Sequence, residues 1–293
     1  MERPVTPLTG RFLLRGPPPG TWGKLDPPPP VCDSGGLKRS GPAIARLTGT
    51  RMTTRRPQPE PRATEERRTY VFRIASLDQP ARHLTRARLE SEEPFPFFAG
   101  QFVRVGFDGL HPRDLSIANK PGERLLEFHI RDVPRQGESL FARVGAGMPA
   151  RVEGPFGGGY LREEHAGPML LVAGGSGIAP AKSIAETALA KGMRQPIHLY
   201  FGVRDELDLY LGPHFHELAR GHANFNFVPV LSHSESNSHR RGMVGEAAAG
   251  DFAALGGFKA YVFGPPAMVR ATSRALHERG IGPHDIHADE PAV

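Results

Sequence analysis

Hydrophobic and polar positions alternate in the stretch that follows Thr69. Tyr70, Phe72 and Ile74 alternate with Val71, Arg73 and Ala75, and a period of two is typical of a strand with one face toward a core. Further short runs, separated by Gly and Pro turns, occur at Leu84–Leu89, Gln101–Gly106, Leu125–Ile130 and Pro149–Glu153. This series predicts a small antiparallel barrel or sandwich over roughly residues 68–160.

The pattern changes after Pro168. Met169–Ala173 is wholly apolar, as expected of a strand buried on both faces of a parallel sheet. Further strands are predicted at Ile197–Gly202, Phe227–Leu231 and Tyr261–Gly264, and helices at Ala179–Gly192, Leu207–Arg220 and Pro265–Gly280. The alternation of strands and helices predicts a doubly wound parallel α/β domain. We therefore expect a two-domain α+β protein, with the barrel at residues 67–165 and the α/β domain at 166–293.

Residues 1–66 differ from the rest in composition. They hold 11 Lys and Arg against 6 Asp and Glu, so they supply +5 of the formal net charge of +6, and they hold 13 of the 30 prolines. We predict a disordered tail, because such a segment cannot bury enough apolar surface to fold. Few aromatic residues argue against nucleic-acid binding, and the prolines argue against an organelle transit peptide. We favour a translation start at Met52, which would remove most of this tail.

Composition also excludes several classes of protein. The longest apolar runs fall far short of the roughly 20 residues of a membrane span. A single cysteine, Cys32, excludes a disulfide framework and an iron–sulfur cluster held by four thiolates of this chain. His214 and His216 lie two positions apart on a predicted helix, hence on different faces, so no metal site is predicted. We expect a cytoplasmic protein without membrane or nucleic-acid partners.

A glycine-rich turn, Gly174-Gly-Ser-Gly177, lies between a predicted buried strand and a predicted helix. Exposed backbone N–H groups and the helix dipole at such a place favour a phosphate-bearing ligand. Glycine also lets the backbone approach that ligand without an intervening Cβ. The turn is neither the Gly-x-Gly-x-x-Gly fingerprint nor a P-loop with its Lys, so a tight structural turn stays open as the alternative.

Two more runs make this signal specific. In Arg113-Asp-Leu-Ser-Ile-Ala-Asn119, expected in a loop at a strand end of the barrel, an Arg shortly precedes a Ser. The Arg can pair with a pyrophosphate while the hydroxyl meets a ring heteroatom. The third run is Phe263-Gly-Pro-Pro-Ala-Met-Val269 near the C-terminus. Together the three runs predict a site for a nucleotide cofactor.

In the order of these motifs, with Gly154-Pro-Phe-Gly157 and Phe201-Gly-Val-Arg204 between them, the chain resembles the ferredoxin–NADP reductase superfamily of flavoproteins. It is most similar to NAD(P)H–flavin reductases and to the reductase components of bacterial oxygenases and deoxysugar enzymes. The resemblance covers about residues 68–290. It implies an antiparallel barrel that binds FAD, completed by Gly154–Gly157, followed by an α/β domain that binds NADH or NADPH.

The resemblance also implies flavin contacts. The family's Arg-x-Tyr-Ser motif falls on Arg113, Leu115 and Ser116, so Arg113 would bind flavin phosphate and Ser116, the catalytic candidate, would hydrogen-bond near the flavin N5. Leu115 replaces the stacking Tyr, which would weaken flavin retention. Other flavin contacts would come from His129, Ile130 and Arg131 and, at the pyrophosphate, from Gly137 and Ser139 before a short helix at Leu140–Val144. Ala288-Asp-Glu290 lies where the family's chain returns to the flavin edge, so an acidic residue there would modulate the flavin, with a solvated tail as the alternative.

The nucleotide contacts follow from the same resemblance. The nicotinamide dinucleotide would be cradled by Gly174, Gly175, Ser176 and Gly177, and the nicotinamide bordered by Gly264, Pro265 and Pro266. Arg204 would meet a 2′-phosphate, whereas Asp205 would repel it and bind a bare ribose hydroxyl, which favours NADH slightly over NADPH. Phe263 replaces a Cys that usually precedes Gly-Pro-Pro, where it would shield the flavin or obstruct nicotinamide stacking.

These inferences describe a flavin-dependent oxidoreductase. Hydride would pass from NAD(P)H to FAD, and the protein would mainly orient the two rings. Since Cys32 cannot hold an iron–sulfur cluster alone, the electron acceptor would be a separate ferredoxin or oxygenase component, or free flavin. A non-catalytic flavin- and nucleotide-binding subunit for regulation or assembly remains the alternative, because Leu115 and Phe263 would then be lost catalytic contacts.

Overall fold

The computed structural model describes residues 69–132, 143–233 and 239–289, so the predicted tail at 1–66 lies outside the described residues. The N-terminal part forms one six-stranded antiparallel sheet in the order β4-β3-β6-β1-β2-β5. Its strands are β1 Thr69–Ala81, β2 Leu84–Glu90, β3 Phe102–Phe107, β4 Arg113–Ser116, β5 Leu125–Arg131 and β6 Pro149–Phe156. An antiparallel bridge between Ile117, just beyond β4, and Phe128 in β5 joins the two outer strands. The sheet therefore closes into the predicted barrel.

The barrel core follows the predicted alternation. Phe72 and Ile74 are each 1% exposed, whereas Val71 between them is 71% exposed. Period-two burial is what a strand with one face on a core requires. One expectation was wrong: Arg113–Ser116 is a short strand paired with β3 rather than a loop, because Val103 pairs with Leu115 and Phe102 with Ser116.

The C-terminal part is a six-stranded parallel sheet in the order β10-β9-β8-β7-β11-β12. Its strands are β7 Met169–Gly174, β8 Ile197–Val203, β9 Phe225–Leu231, β10 Arg240–Arg241, β11 Lys259–Phe263 and β12 Ile286–Ala288. Its helices are α1 Ile178–Ala190, α2 Gly212–Gly221, α3 Val244–Gly250 and α4 Pro266–Glu278. Helices α1 and α2 pack on one face, and α3 and α4 on the other. This confirms the doubly wound α/β fold.

Sequence periodicity missed or misplaced four elements here. The short elements β10, α3 and β12 had not been predicted, since two, seven and three residues are too few to show a period. The helix predicted at Leu207–Arg220 begins only at Gly212, because a 3₁₀ turn at Glu206–Asp208 precedes it and Pro213 is placed in the first turn of α2. In the ranges described, no helix combines the length and the hydropathy that a membrane span needs.

Helix α1 lies between the sheet and the barrel. Ten of its 13 residues are buried, and the other three, Lys182, Glu186 and Ala190, follow one another at four-residue spacing along a single half-buried to exposed line of the helix. One side packs on the sheet, and the other meets the barrel. At the barrel, an added Cβ at Gly100 would lie 2.9 Å from Ile184 Cδ1. Helix α1 therefore packs against both the parallel sheet and the barrel.

Candidate functional site

The strand order of the parallel sheet creates a crevice beside the predicted glycine turn. From β7 the chain moves outward through β8 and β9 to β10, and then returns to the other side of β7 for β11. At such a switch point the connections leave the sheet in opposite directions, and a ligand crevice opens at the carboxyl ends of the strands. Here those ends are Gly174 of β7 and Phe263 of β11, and Phe263 pairs with Ala173. The glycine turn and the Gly-Pro-Pro run, which the resemblance assigns to the nucleotide, therefore lie next to each other at this crevice.

The glycine turn needs its glycines for close packing. An added Cβ at Gly177 would lie 2.4 Å from the carbonyl oxygen of Phe263, and one at Gly174 would lie 2.4 Å from Met268 Sδ. Gly175 differs, since it is exposed, has φ +55°, and would meet no atom within 4 Å. Such a backbone can bring its N–H groups close to an anionic ligand at the start of α1. Ser176 is half-buried beside it.

The Gly-Pro-Pro run faces the same crevice. Pro265 and Pro266 are exposed, and α4 begins at Pro266. An added Cβ at Gly264 would lie 2.8 Å from Met268 Cε and 3.3 Å from the backbone N of Gly174. Met268 therefore packs against both Gly174 and Gly264. Met268 belongs to the third sequence run, but the sequence assigned it no role of its own.

The barrel brings Arg113 and Ser116 to its outer strand β4. Both residues are half-buried, and neither side chain has a hydrogen-bond or ion-pair partner within the described part of the chain. The neighbouring Asp114 does not pair with Arg113, because its carboxylate is held by Arg104 at 2.9 and 3.1 Å. Within the described residues, Arg113 and Ser116 are thus a cation and a hydroxyl on one short strand whose side chains remain available to a ligand. They are candidates to bind a phosphate and a ring acceptor, respectively.

Leu115 and Phe263 are both core residues. Leu115 is 8% exposed within the apolar cluster of the barrel, so its side chain offers little area for stacking on a flavin ring. Phe263 is 5% exposed and lies in the apolar cluster under α1, where an added Cβ on Gly159 would touch its ring at 3.0 Å. The expectation that Phe263 would shield the flavin or obstruct the nicotinamide was wrong, because the ring fills the core instead.

The run His129, Ile130 and Arg131 lies on β5, which passes within 8 Å of the glycine turn, measured between Cα atoms. Arg131 is exposed, but Ile130 is 2% exposed in the barrel core, which leaves only its backbone for a flavin. His129 is 5% exposed, and its ring bonds Glu127 Oε1 through Nε2 at 3.1 Å and Tyr210 Oη through Nδ1 at 2.9 Å. Its side chain therefore joins the barrel to the segment before α2.

Charged groups at the domain boundary stabilise one another. Burial alone would raise the pKa of Glu127, but the hydrogen bond with His129 and the charges of Lys182 and Arg88 outweigh it, and the pKa falls well below its usual value. Burial lowers the pKa of His129 despite that bond. The neutral ring then donates from Nε2–H to Glu127 and accepts at Nδ1 from the Tyr210 hydroxyl. Glu127 thus stays ionised and His129 neutral at pH 7.

Helix α1 adds two bonds of its own across the boundary. Ser183 Oγ donates to the carbonyl oxygen of Asn119 at 2.7 Å, and Lys182 Nζ donates to that of Ala118 at 3.3 Å. Lys182 also lies 3.6 Å from Glu127 Oε1 and 3.2 Å from Glu186 Oε2. The sequence motifs missed both residues. Their signal was a Lys-Ser pair inside an otherwise apolar, alanine-rich helix.

Arg204 and Asp205 directly follow β8 at the carboxyl edge of the sheet, and both are exposed. The backbone N–H of Asp205 donates to Asp208 Oδ2 at 3.4 Å, which fixes the start of the 3₁₀ turn. The carbonyl oxygen of Arg204 accepts a hydrogen bond from the N–H of His233 at 3.1 Å, which joins the end of β8 to the segment after β9. Both residues therefore lie at the carboxyl end of β8, on the same edge of the sheet as the end of β7.

Asp289 closes the barrel side of the crevice. Its Oδ1 accepts from the N–H groups of Gly158 and Gly159 at 2.9 and 3.1 Å, so the end of the chain is tied to the segment after β6. Burial raises the pKa of Asp289, and the two N–H donors oppose that rise. Three predicted contacts, Gly137, Ser139 and Glu290, lie outside the described residues, as does most of the helix predicted at Leu140–Val144.

His214 of α2 pairs with a carboxylate of α1, with Nε2 2.7 Å from Glu186 Oε1. Across residues 69–132, 143–233 and 239–289, no group of three or more His, Cys, Asp or Glu side chains has metal-binding geometry.

Comparison with known proteins agrees with this geometry. The family model of the oxidoreductase NAD-binding domain matches residues 171–274. The chain is 37% identical over 236 residues to the reductase component of the naphthalene 1,2-dioxygenase system of Pseudomonas putida, covering 80% of this chain and 72% of that one. It is 33% identical over 226 residues to a probable flavin reductase of Vibrio harveyi, covering 74% and 96%. A solved cytochrome P450 reductase of Amycolatopsis superposes with a TM-score of 0.73 at 36% identity, covering 78% and 71%.

A two-domain reductase fold with a flavin barrel and a pyridine-nucleotide crevice is thus the class that the structure defines. The chain belongs to the family of ferredoxin–NAD(P)⁺ reductases and NAD(P)H–flavin reductases. It is a flavin-dependent oxidoreductase that takes hydride from NAD(P)H to FAD and passes electrons to a separate protein acceptor or to free flavin.

Proposed function

We propose that this reductase uses NADH to supply electrons to a separate electron-transfer protein, and that Ser116 and the glycine turn hold the two reacting rings. One observation carries the proposal: α1 begins at the glycine turn and packs through Ser183 on Asn119, three residues beyond Ser116. The flavin candidate and the nicotinamide candidate therefore border the same cleft. For hydride transfer, a protein must mainly hold the two rings close together and in the correct orientation.

The residues of the barrel fit FAD. Arg113 supplies an unpaired charge for the pyrophosphate, and the Ser116 hydroxyl supplies a donor near the flavin N5. When bound, FAD accepts hydride from the nicotinamide and passes electrons to the acceptor. The low exposure of Leu115 means that stacking contributes little on this side. We therefore expect flavin retention to depend mainly on Arg113.

The acceptor is proposed to be an iron–sulfur protein of an oxygenase system. Two relatives named as ferredoxin–NAD(P)⁺ reductase components of dioxygenase systems are 37% and 39% identical to this chain, against 31–33% for the flavin reductases. Free flavin is the second candidate, because one flavin reductase is matched over 96% of its length. Since pyridine nucleotides are held inside the cell, a cytoplasmic location is part of the proposal.

Asp205 is proposed to select NADH. Replacing it with Ala is expected to raise the KM for NADH several-fold and to lower that for NADPH, because a carboxylate binds the ribose 2′-hydroxyl and repels a 2′-phosphate. The measurement is steady-state kinetics with each nucleotide. Glu206→Ala is the matched control, since Glu206 is the next exposed carboxylate and pairs with His239 instead. Equal effects of the two substitutions on both nucleotides would contradict the assignment.

An absorbance experiment tests the proposal as a whole. Protein purified with added FAD is passed through gel filtration, and its flavin spectrum is recorded anaerobically after NADH and then after NADPH. Flavin that stays bound and bleaches with NADH supports the proposed reductase component. Flavin lost on the column, with NADH still consumed when free flavin is added, supports the flavin-reductase alternative. Bound flavin that neither nucleotide reduces would contradict hydride transfer.

A further inference from the structure

Helix α1 runs from the glycine turn, where the nicotinamide is proposed to bind, to the barrel segment next to Ser116, where the flavin is proposed to bind. Its first residue, Ile178, directly follows the glycine turn, and Ser183 lies six residues beyond Gly177, which is about 9 Å along the axis at 1.5 Å per residue. Ser183 is fully buried and donates to the carbonyl oxygen of Asn119, while Lys182 beside it donates to that of Ala118. A short, stiff length of helix thus separates the turn from these two bonds.

The segment that receives these bonds is itself fixed in the barrel. The N–H of Ile117 donates to the backbone carbonyl oxygen of Gln101 at 3.1 Å, and the N–H of Ala118 donates to the backbone carbonyl oxygen of Glu127 at 2.8 Å. The Asn119 side chain donates to the carbonyl of Leu125 at 2.7 Å and accepts from the N–H of Glu127 at 2.8 Å. The barrel therefore holds residues 117–119 from one side while Ser183 and Lys182 hold them from the other, and Ser116 immediately precedes this segment.

The boundary near Ser183 offers few other links to these carbonyl groups. Within the described residues, the bonds from Ser183 and Lys182 are the side-chain bonds that reach the carbonyl groups of residues 118 and 119 from the nucleotide domain. Lys182 has a second task, because it separates the carboxylates of Glu127 and Glu186. Its removal would take a cation away from two half-buried carboxylates, which would keep, among the residues described, only Arg88 and His129 at Glu127 and His214 at Glu186. Removal of the Ser183 hydroxyl changes one neutral hydrogen bond.

We propose that Ser183 and Lys182 are positioning residues for hydride transfer: their bonds to Asn119 and Ala118 set the distance between the Ser116 strand end and the glycine turn. The proposal rests on the proposed function, in which these two places hold the flavin N5 edge and the nicotinamide. Neither residue touches a ring in this account. Each acts through the backbone that it holds, and a displacement of about 1 Å is enough to slow a reaction about 100-fold.

Ser183→Ala tests the proposal, with Thr187→Val as the matched control. Thr187 lies one turn further along α1, is 5% exposed, and its hydroxyl has no hydrogen-bond partner, so its loss removes a buried hydroxyl from the same helix without touching the barrel. We expect Ser183→Ala to lower the rate of anaerobic flavin reduction by NADH at least tenfold. The FAD dissociation constant and the KM for NADH are expected to change less than twofold. Thr187→Val is expected to leave all three unchanged.

A second measurement does not depend on the bound cofactor. In FAD-free protein, amide hydrogen exchange at residues 117–119 is expected to be faster in Ser183→Ala than in the wild type, and unchanged in Thr187→Val. Exchange in β7 is expected to be the same in all three proteins, and so is the midpoint of urea unfolding to within the difference shown by the control. This pattern would locate the change at the barrel segment rather than in the stability of the whole fold.

The possible results distinguish a failure of the proposed function from a failure of the positioning role of Ser183. If the wild type does not reduce FAD with either nucleotide, the proposed function fails, and the exchange experiment alone decides whether Ser183 holds residues 117–119. Unchanged exchange there would overturn the positioning role. In a wild type that reduces FAD, an unchanged reduction rate in Ser183→Ala would overturn it as well. So would a rate loss accompanied by an equal loss of FAD affinity, which is the signature of a merely structural defect.

Discussion

Arg113→Ala is expected to raise the dissociation constant for FAD about 10- to 100-fold. The Arg113 guanidinium is half-buried at the barrel edge with no acidic partner among the residues described, so its interaction with a phosphate would be gained in full on binding. A hydrogen bond to a charged group contributes about 1.5–3 kcal/mol, and each 1.4 kcal/mol is a factor of ten in affinity. With little stacking from Leu115, few other side chains on this strand compensate for the loss.

The measurement is a titration of FAD-free protein, followed by the quenching of flavin fluorescence. Arg104→Ala is the control, because Arg104 lies on the adjoining strand β3 and carries the same charge, but is committed to Asp114. Its substitution is expected to change the FAD affinity less than twofold, since an exposed ion pair contributes little. Equal losses from the two substitutions would mean that only the overall charge matters, and would remove Arg113 from the site.

Gly177→Ala is expected to lower kcat/KM for NADH at least tenfold and to destabilise the fold by about 1–3 kcal/mol. The added Cβ would lie 2.4 Å from the Phe263 carbonyl oxygen and 2.8 Å from the backbone N of Gly264. Both obstacles are backbone atoms at the end of β11, so the turn and the Gly-Pro-Pro run must move apart. The crevice that holds the nicotinamide would open in consequence.

Gly221→Ala serves as the control for this substitution. Gly221 ends α2, and an added Cβ there meets no atom within 4 Å, so stability is expected to stay the same or to rise slightly. Chemical denaturation of the FAD-free proteins gives the stability difference, and steady-state kinetics gives kcat/KM. Full retention of NADH activity in Gly177→Ala would show that the turn does not cradle the nucleotide.

The fold was predictable because its signals are local. The period of two in β1 and the wholly apolar β7 depend only on which faces of a strand are buried, so they are visible in a few residues. The strand at Arg113–Ser116 has no such local signal, because four residues with a single apolar position, Leu115, are too few to show a period without β3 beside them. The edge strand β10 is two residues long and carries no period at all.

The links across the domain boundary were not predictable from local pattern. Ser183 and Asn119 are 64 positions apart, and Tyr210 and His129 are 81 apart, so their pairing exists only after both domains have folded and met. His129 was assigned to the flavin because it lies in a flavin motif, yet its ring is occupied by Glu127 and Tyr210. Phe263 had been read as an active-site residue for the same reason, and the structure places its ring in the core.

The central claim is that hydride passes directly from a nicotinamide at the glycine turn to a flavin beside Ser116. The most direct test is single-turnover, anaerobic reduction of the FAD-loaded protein by NADH, compared with NADH deuterated at the transferred position of C4. The account predicts that the flavin absorbance bleaches in a single phase and that deuterium slows this phase. Loaded protein whose flavin absorbance does not change with either nucleotide would contradict it.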